Sequence, residues 1–456
     1  MKLSLSINKS RLILFLGMLS YVLSIGLGAE KYLPYQLYAP GVFRSYSLGG
    51  YEVIGLIAVA ALCTCFFPTT IDLPSDWFLA IFNILLLAPG LTLGIASDDL
   101  DYSKKLIVLP TLIAAIAVLS IAGKVGARGT HASNESARSG IFYFAILGWF
   151  VLFVLLVAKY HSVMRFSDAA SIYEQRALTA DVGGLWGYIN LYFVYVFCTL
   201  LIAYGMSKGS LRCCLIGSAG YFLMYLITAE KSQLIFPVFF LAVFCLANYV
   251  VTPMKVFGVG LIIVAIVILG VVYLGQQAKV FDFAGFYLFS RLIATPGQFV
   301  LDYYEFFSVS GYTYFSQVRG FDLFVDVPSV YSSHPKWPQL GWVVGDGLHG
   351  IESNSNASFI ASDGAASLGA IGMLLMACGL SAYLMVFNLL SKSLPKVFWS
   401  AIFAQQAFLL VSVSLFSLLL SFGGAFYFLF FVFWEFRRQR AHSRDCLSIE
   451  QANKEG

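Results

Sequence analysis

Ten apolar runs follow one another along this chain, and an eleventh stretch, 397–436, is about forty residues long. Roughly 20 apolar residues are enough for a helix to cross a bilayer. The ten runs are 12–28, 51–67, 77–95, 106–122, 140–158, 185–205, 213–228, 233–251, 256–275 and 365–390. Ser412, Ser414 and Ser417 interrupt the last stretch and divide it into two helices joined by a tight turn, for about twelve spans in all (11–13). Composition agrees: 59% of the 456 residues are hydrophobic and 11% charged, against about 25% charged in soluble domains. So few charges cannot cover a water-exposed surface of this size, which excludes a soluble enzyme, a nucleic-acid binder and a disordered scaffold. The chain reads as an all-α, polytopic integral membrane protein with a single transmembrane domain over residues 1–456. The first run is too long, and lacks the small-residue site, for a cleaved signal peptide. The eight cysteines form no CxxC pair or His/Cys cluster, so neither disulfides nor a zinc site is expected.

Orientation follows Lys and Arg rather than net charge. An even number of spans puts both termini on one side. Placing them in the cytoplasm puts sixteen of the 28 basic residues on inner segments, at more than twice the density of the outer ones. Residues 437–456 are then a basic cytoplasmic tail. The 68–76 loop has no Lys or Arg and fits this orientation least well. The outer face holds two large loops, 159–184 and 276–364. The second lies between spans 9 and 10 and is much longer than a mere connection. Its Tyr, Phe, Trp, Gly and Pro content predicts short interfacial helices and ordered loops. No tandem repeat is visible, and the two halves do not mirror each other in loop length.

Candidate chemistry concentrates on that outer side. Arg176 stands just above the sixth span, and Lys231 sits in the short hairpin Thr228-Ala-Glu-Lys-Ser. Arg291 lies in the amphipathic run 286–299, and Arg319 in the long loop. Cations against the positive-inside bias suit a ligand whose anionic group lies in the interface, such as a lipid-linked pyrophosphate, since guanidinium binds phosphate oxygens in pairs. The plainer account is snorkelling toward headgroups. The loop's aromatic residues suit sugar faces or an interfacial belt equally. A general base would come from the loop's acids and histidines, with His349 and Glu352 first. Asn356 and Asp363 precede a small-residue helix, where they could bind ligand or simply cap it. The Asp98-Asp99-Leu100-Asp101 stretch reads as a solvated turn.

Four passages resemble the Wzy-type O-antigen and polysaccharide repeat-unit polymerases of bacterial inner membranes. They are Pro68-Thr-Thr-Ile-Asp-Leu-Pro-Ser-Asp-Trp; the Arg176 loop with the Thr228–Ser232 hairpin; Ser290-Arg-Leu with Pro296-Gly; and Asn354-Ser-Asn-Ala-Ser-Phe-Ile-Ala-Ser-Asp-Gly-Ala-Ala-Ser-Leu-Gly-Ala-Ile-Gly372, the most specific. The resemblance implies a GT-C-like fold and a metal-independent glycosyltransferase without cofactor. It would polymerise undecaprenyl-diphosphate-linked oligosaccharides at the periplasmic face of the inner membrane. Its partners would be donor and acceptor lipids, the bilayer and a chain-length regulator, with no nucleic acid. Arg176, Lys231, Arg291 and Arg319 would hold the pyrophosphate, with Arg291 and Arg319 also stabilising the leaving group. His349 or Glu352 would act as base, and Asn356 and Asp363 would orient sugars or brace the loop. The rival readings are an O-antigen ligase, which delivers the glycan to lipid A–core, and a flippase or other transporter.

Overall fold

The computed structural model describes residues 2–36, 41–124, 138–166, 172–180, 184–275, 277–350, 354–437 and 440. Glu352 and most of the basic tail lie outside them. The described chain is all-α; the sole β feature among those residues is one isolated bridge, Tyr46 to Ser97. Nine of the described helices are long and apolar enough to cross a membrane, and Gly50–Phe66 is a shorter apolar helix of 17 residues. The last apolar stretch breaks, as its serines suggest, into Lys396–Leu410, a short helix Leu415–Leu420 and a helix over 424–437. This supports a multi-pass membrane protein.

Close crossings draw the helices together where side chains are absent. Gly17 meets Gly258 so tightly that a Cβ on Gly17 would lie 2.2 Å from the Gly258 carbonyl oxygen. Gly297 packs on Gly90 in the same way. Small residues at such contacts are how helices in lipid gain van der Waals packing. Helix Pro74–Ala96 is the most enclosed of the nine, and helix Thr295–Ser310 packs against it.

Polar contacts gather at two ends. At one, Asp72 pairs with Lys396 at 3.0 Å, so the loop without its own cation borrows one from its neighbour. Asn388 ties together Ser75 and the Ala122 carbonyl there. At the other end, the Asp98–Asp99 turn accepts from Ser45 and Ser47. Gln175, fully buried, donates to the carbonyls of Val163, Leu226 and Ile227.

The long loop does form short helices: Lys279–Gly285, Thr295–Ser310, Ser329–Ser332 and Leu340–His349. The amphipathic run is only half interfacial. Phe286–Ala294, a π-helical turn, exposes Leu288, Arg291 and Leu292, but from Pro296 to Tyr304 every residue is buried.

The stretch that resembles the polymerases most specifically departs from the straight helix expected at 365–372. Leu368 and Gly369 leave helical geometry, Gly369 at φ +60°. The chain reverses there, because a Cβ on Gly372 would lie 2.1 Å from the Gly364 oxygen. In a continuous helix, eight residues span about 12 Å. Residues 359–367 therefore fold back on the helix that follows. The carbonyls of Ala366 and Ser367 that the reversal frees are taken by Thr313 and Tyr314 N–H at 2.9 and 3.1 Å.

Candidate functional site

Between the long loop and the final helices lies a cleft of about 620 Å³. Its polar lining is Gln317, Arg319, Gln339, Asn354, Asn356 and Asp363, with a row of serines from 412 to 421. Tyr188, Tyr303, Phe416 and Phe422 supply ring surfaces. Amides, hydroxyls and ring faces around one cation match a large neutral polyol with an anionic end.

Each wall is held by identifiable bonds. Tyr303 donates to the Ser355 carbonyl at 2.9 Å, and Ser355 N–H donates to Gly341 oxygen at 2.9 Å, which fixes the extended segment that exposes Asn354 and Asn356. Burial, with Asp302 and Asp363 nearby, pushes the Tyr303 phenol well above its ordinary range, so it serves here as a neutral donor. Asp363 is buried and accepts the Leu415 N–H at 2.5 Å. It thus caps not its own helix but Leu415–Leu420 across the cleft, joining the reversed helix to the final hairpin.

Of the eight residues singled out from sequence, Arg319, Asn356 and Asp363 line the cleft. Arg176, Lys231 and Arg291 do not. Arg176 reaches the Ala229 carbonyl at 3.4 Å, in the hairpin that carries Lys231. Lys231 Nζ stands 3.9 Å above the Tyr287 ring, and Arg291 follows Tyr287 by about one turn, over Phe286 at 5.2 Å. These three form a second station outside the cleft. Gln233 links the two stations: it donates to Glu230 in the hairpin and to the Tyr195 hydroxyl. The Tyr195 ring lies 4.9 Å from that of Phe422 in the cleft wall. Among the described residues Lys231, Arg291 and Arg319 make no ion pair, whereas Arg44, Lys104 and Arg165 do.

His349 also lies away from the cleft. Its side chain is 6% exposed, and Nε2 sits 3.4 Å from Asp302 Oδ2, with Asp302 fully buried. Around Asp302 is a charge cluster that sequence reasoning missed. Arg44 binds Asp302 Oδ1 at 2.6 Å and Glu305 at 2.6 Å, and Lys104 binds Glu305 at 3.0 Å. Gln298 donates to Asp302 at 2.8 Å and accepts from Tyr46. Burial acts to lower the Arg44 pKa, but Asp302 and Glu305 overcome it and hold the guanidinium above its ordinary range. One signal was present in the sequence: Gln298, Asp302 and Glu305 recur at helical spacing within an otherwise apolar run, which marks a polar stripe turned inward.

An apolar groove of about 480 Å³, lined by Leu152, Tyr188, Ile189, Tyr192, Phe197 and Leu420, meets the polar cleft at Tyr188 and Leu420. Phe197, Phe144 and Phe426 extend it as neighbouring rings, with centroids 5.7 to 6.3 Å apart. Among the described residues, no group of three or more His, Cys, Asp or Glu is placed to hold a metal ion. No family model, curated protein or solved structure matches this chain.

Proposed function

We propose that this protein is a membrane glycosyltransferase that joins undecaprenyl-diphosphate-linked oligosaccharide units into O-antigen or a related surface polysaccharide. In this reading it has about twelve GT-C-like spans, both termini cytoplasmic, and works at the periplasmic face of a bacterial inner membrane. The observation that carries the proposal is the junction of the polar cleft with the apolar groove at Tyr188 and Leu420. A glycan on a polyprenyl carrier is polar at one end and a long hydrocarbon at the other, and the two surfaces meet as those parts of the molecule do.

The mechanism is electrostatic and positional. Asn354, Asn356, Gln317 and the serines would bind sugar hydroxyls, and the rings would cover sugar faces. Arg319, without an acidic partner among the described residues, would meet the diphosphate and stabilise charge growing on it as the glycosidic bond breaks. Lys231 and Arg291 would hold a lipid diphosphate at the second station. The acceptor's hydroxyl proton needs a base near the cleft; Asp363, held by Leu415 N–H, braces the wall.

The test is the length ladder of surface glycan in a deletion strain. Loss of the gene leaves single repeat units, and the intact chain restores the ladder. Arg319→Ala cuts polymer formation by roughly 10²-fold, the scale for removing one preorganised charge donor. Normal ladders from Arg319→Ala and Asn356→Ala alike would remove the cleft from the reaction. Full-length polymer left on its carrier in the deletion strain would instead identify a ligase.

A further inference from the structure

We propose that Phe321 is a positioning residue: with Phe315 and Phe416 it forms a clasp of three rings that sets Arg319 in the cleft wall. This rests on the function proposed above, because the place of Arg319 matters to the reaction only if transfer occurs in the cleft. Arg319 is exposed, and among the described residues no hydrogen bond or ion pair fixes its guanidinium. Its place among the lining residues is therefore set by the turn that carries it.

That turn is closed by its own backbone. Val318 N–H donates to the Phe315 carbonyl at 2.9 Å, and Phe321 N–H donates to the Val318 carbonyl at 3.0 Å. Gly320 stands between them at φ +97°, and its N–H donates to Asp322 at 2.7 Å. Phe315 and Phe321 thus flank Arg319, and both rings turn to Phe416. The Phe321 centroid lies 5.9 Å from that of Phe315 and 5.7 Å from that of Phe416, and Phe315 and Phe416 are 6.3 Å apart. Both contacts with Phe416 are edge-on, a geometry that aromatic pairs favour. Phe416 belongs to the helix Leu415–Leu420 and lines the cleft among the serines.

The base of the turn is tied down separately. Gln317 accepts from the Thr313 hydroxyl at 2.6 Å and donates to the Ser367 hydroxyl at 2.9 Å, beside the backbone bonds from Thr313 and Tyr314 to residues 366 and 367. Tyr314 and Phe315 both have positive φ, +52° and +67°. Residues with a side chain seldom adopt that conformation, and it persists where the surroundings hold it. The pair falls at the step from the reversed helix, which Tyr314 still touches, to the ring cluster, which Phe315 begins. Phe321 is the ring the fold needs least. It is 44% exposed, whereas Phe315 and Phe416 pack against the core. Its effect on Arg319 can therefore be separated from folding.

Transfer is measured with the full chain in lipid nanodiscs and the lipid-linked repeat units that accumulate in the deletion strain. Phe321→Ala should lower kcat about tenfold and leave KM near its usual value, a smaller loss than Arg319→Ala because the charge is displaced rather than removed. Its melting temperature should stay within about 2 °C of the unaltered protein's. Phe321→Tyr, which keeps the ring, should restore the rate. In an Arg319→Ala background, Phe321→Ala should lower the rate no further, because two residues that act through one group are not additive. The clasp is overturned, and the cleft assignment left standing, by a full rate from Phe321→Ala, by the same loss in Phe321→Tyr, or by a full tenfold loss added to that of Arg319→Ala. A normal rate from Arg319→Ala overturns both. If Phe321→Ala does not fold, Phe321→Leu, which keeps apolar volume without the ring, carries the same comparisons.

Discussion

Arg44 and Asp302 lie 258 positions apart and meet in a site almost closed to water. Removing one member of such a pair strands the other, which costs about 3–5 kcal/mol; replacing both with apolar residues of similar volume is often near neutral. Arg44→Ala should therefore lower the melting temperature sharply, while Arg44→Met with Asp302→Leu should recover most of the loss. A single Arg44→Ala protein that melts like the unaltered one would show that the cluster does not hold the fold. The residue scale is also where sequence was least informative. Arg319 was legible as a cation against the positive-inside bias, and Asn356 and Asp363 because polar residues crowd ahead of a span. Arg44 was not, because a lone arginine in a loop gives no sign of a buried partner that comes so much later. His349 was legible as a loop histidine near acids, but which acid it faces depends on how the loop helices dock.

Elements were read better than residues, because membrane helices announce themselves by length and apolar content. What escaped was the geometry within them: the reversal at Leu368–Gly369 and the complete burial of Pro296–Tyr304. Hydropathy counts apolar residues and does not register a positive φ or a contact between two backbones. Glycine substitutions separate these cases. Gly369→Ala places a side chain at φ +60°, with its Cβ 2.6 Å from the Tyr312 hydroxyl, and should cost about 1–2 kcal/mol from the backbone alone. Gly297→Ala meets the backbone of Gly90 at 2.4 Å, which no rotamer change relieves, so it should cost more. Gly270→Ala has nothing within 4 Å and should be neutral or stabilising by up to about 1 kcal/mol. Thermal unfolding in one detergent gives the order; Gly297→Ala milder than Gly270→Ala would contradict the close crossing.

At the scale of the whole molecule, contacts sort the loops into two ends, grouped as the charge-based expectation groups them. The segments assigned to the outside meet one another at one end, and Asp72 and Lys396 meet at the other. A periplasm-dependent reporter fused after residue 340 should be active and one fused after residue 394 inactive; the reverse result would invert the topology. The cleft draws on segments from 184 to 422, so it has no sequence signature of its own. Its construction does have an order in time. Thr313 and Tyr314 cannot find their carbonyls until residues 366 and 367 have been synthesised, and Asp363 then waits for Leu415. The ribosome thus delivers the parts of the cleft long before the bond that joins its walls. A chain stopped after residue 410 would carry most of its membrane helices and none of the closed site.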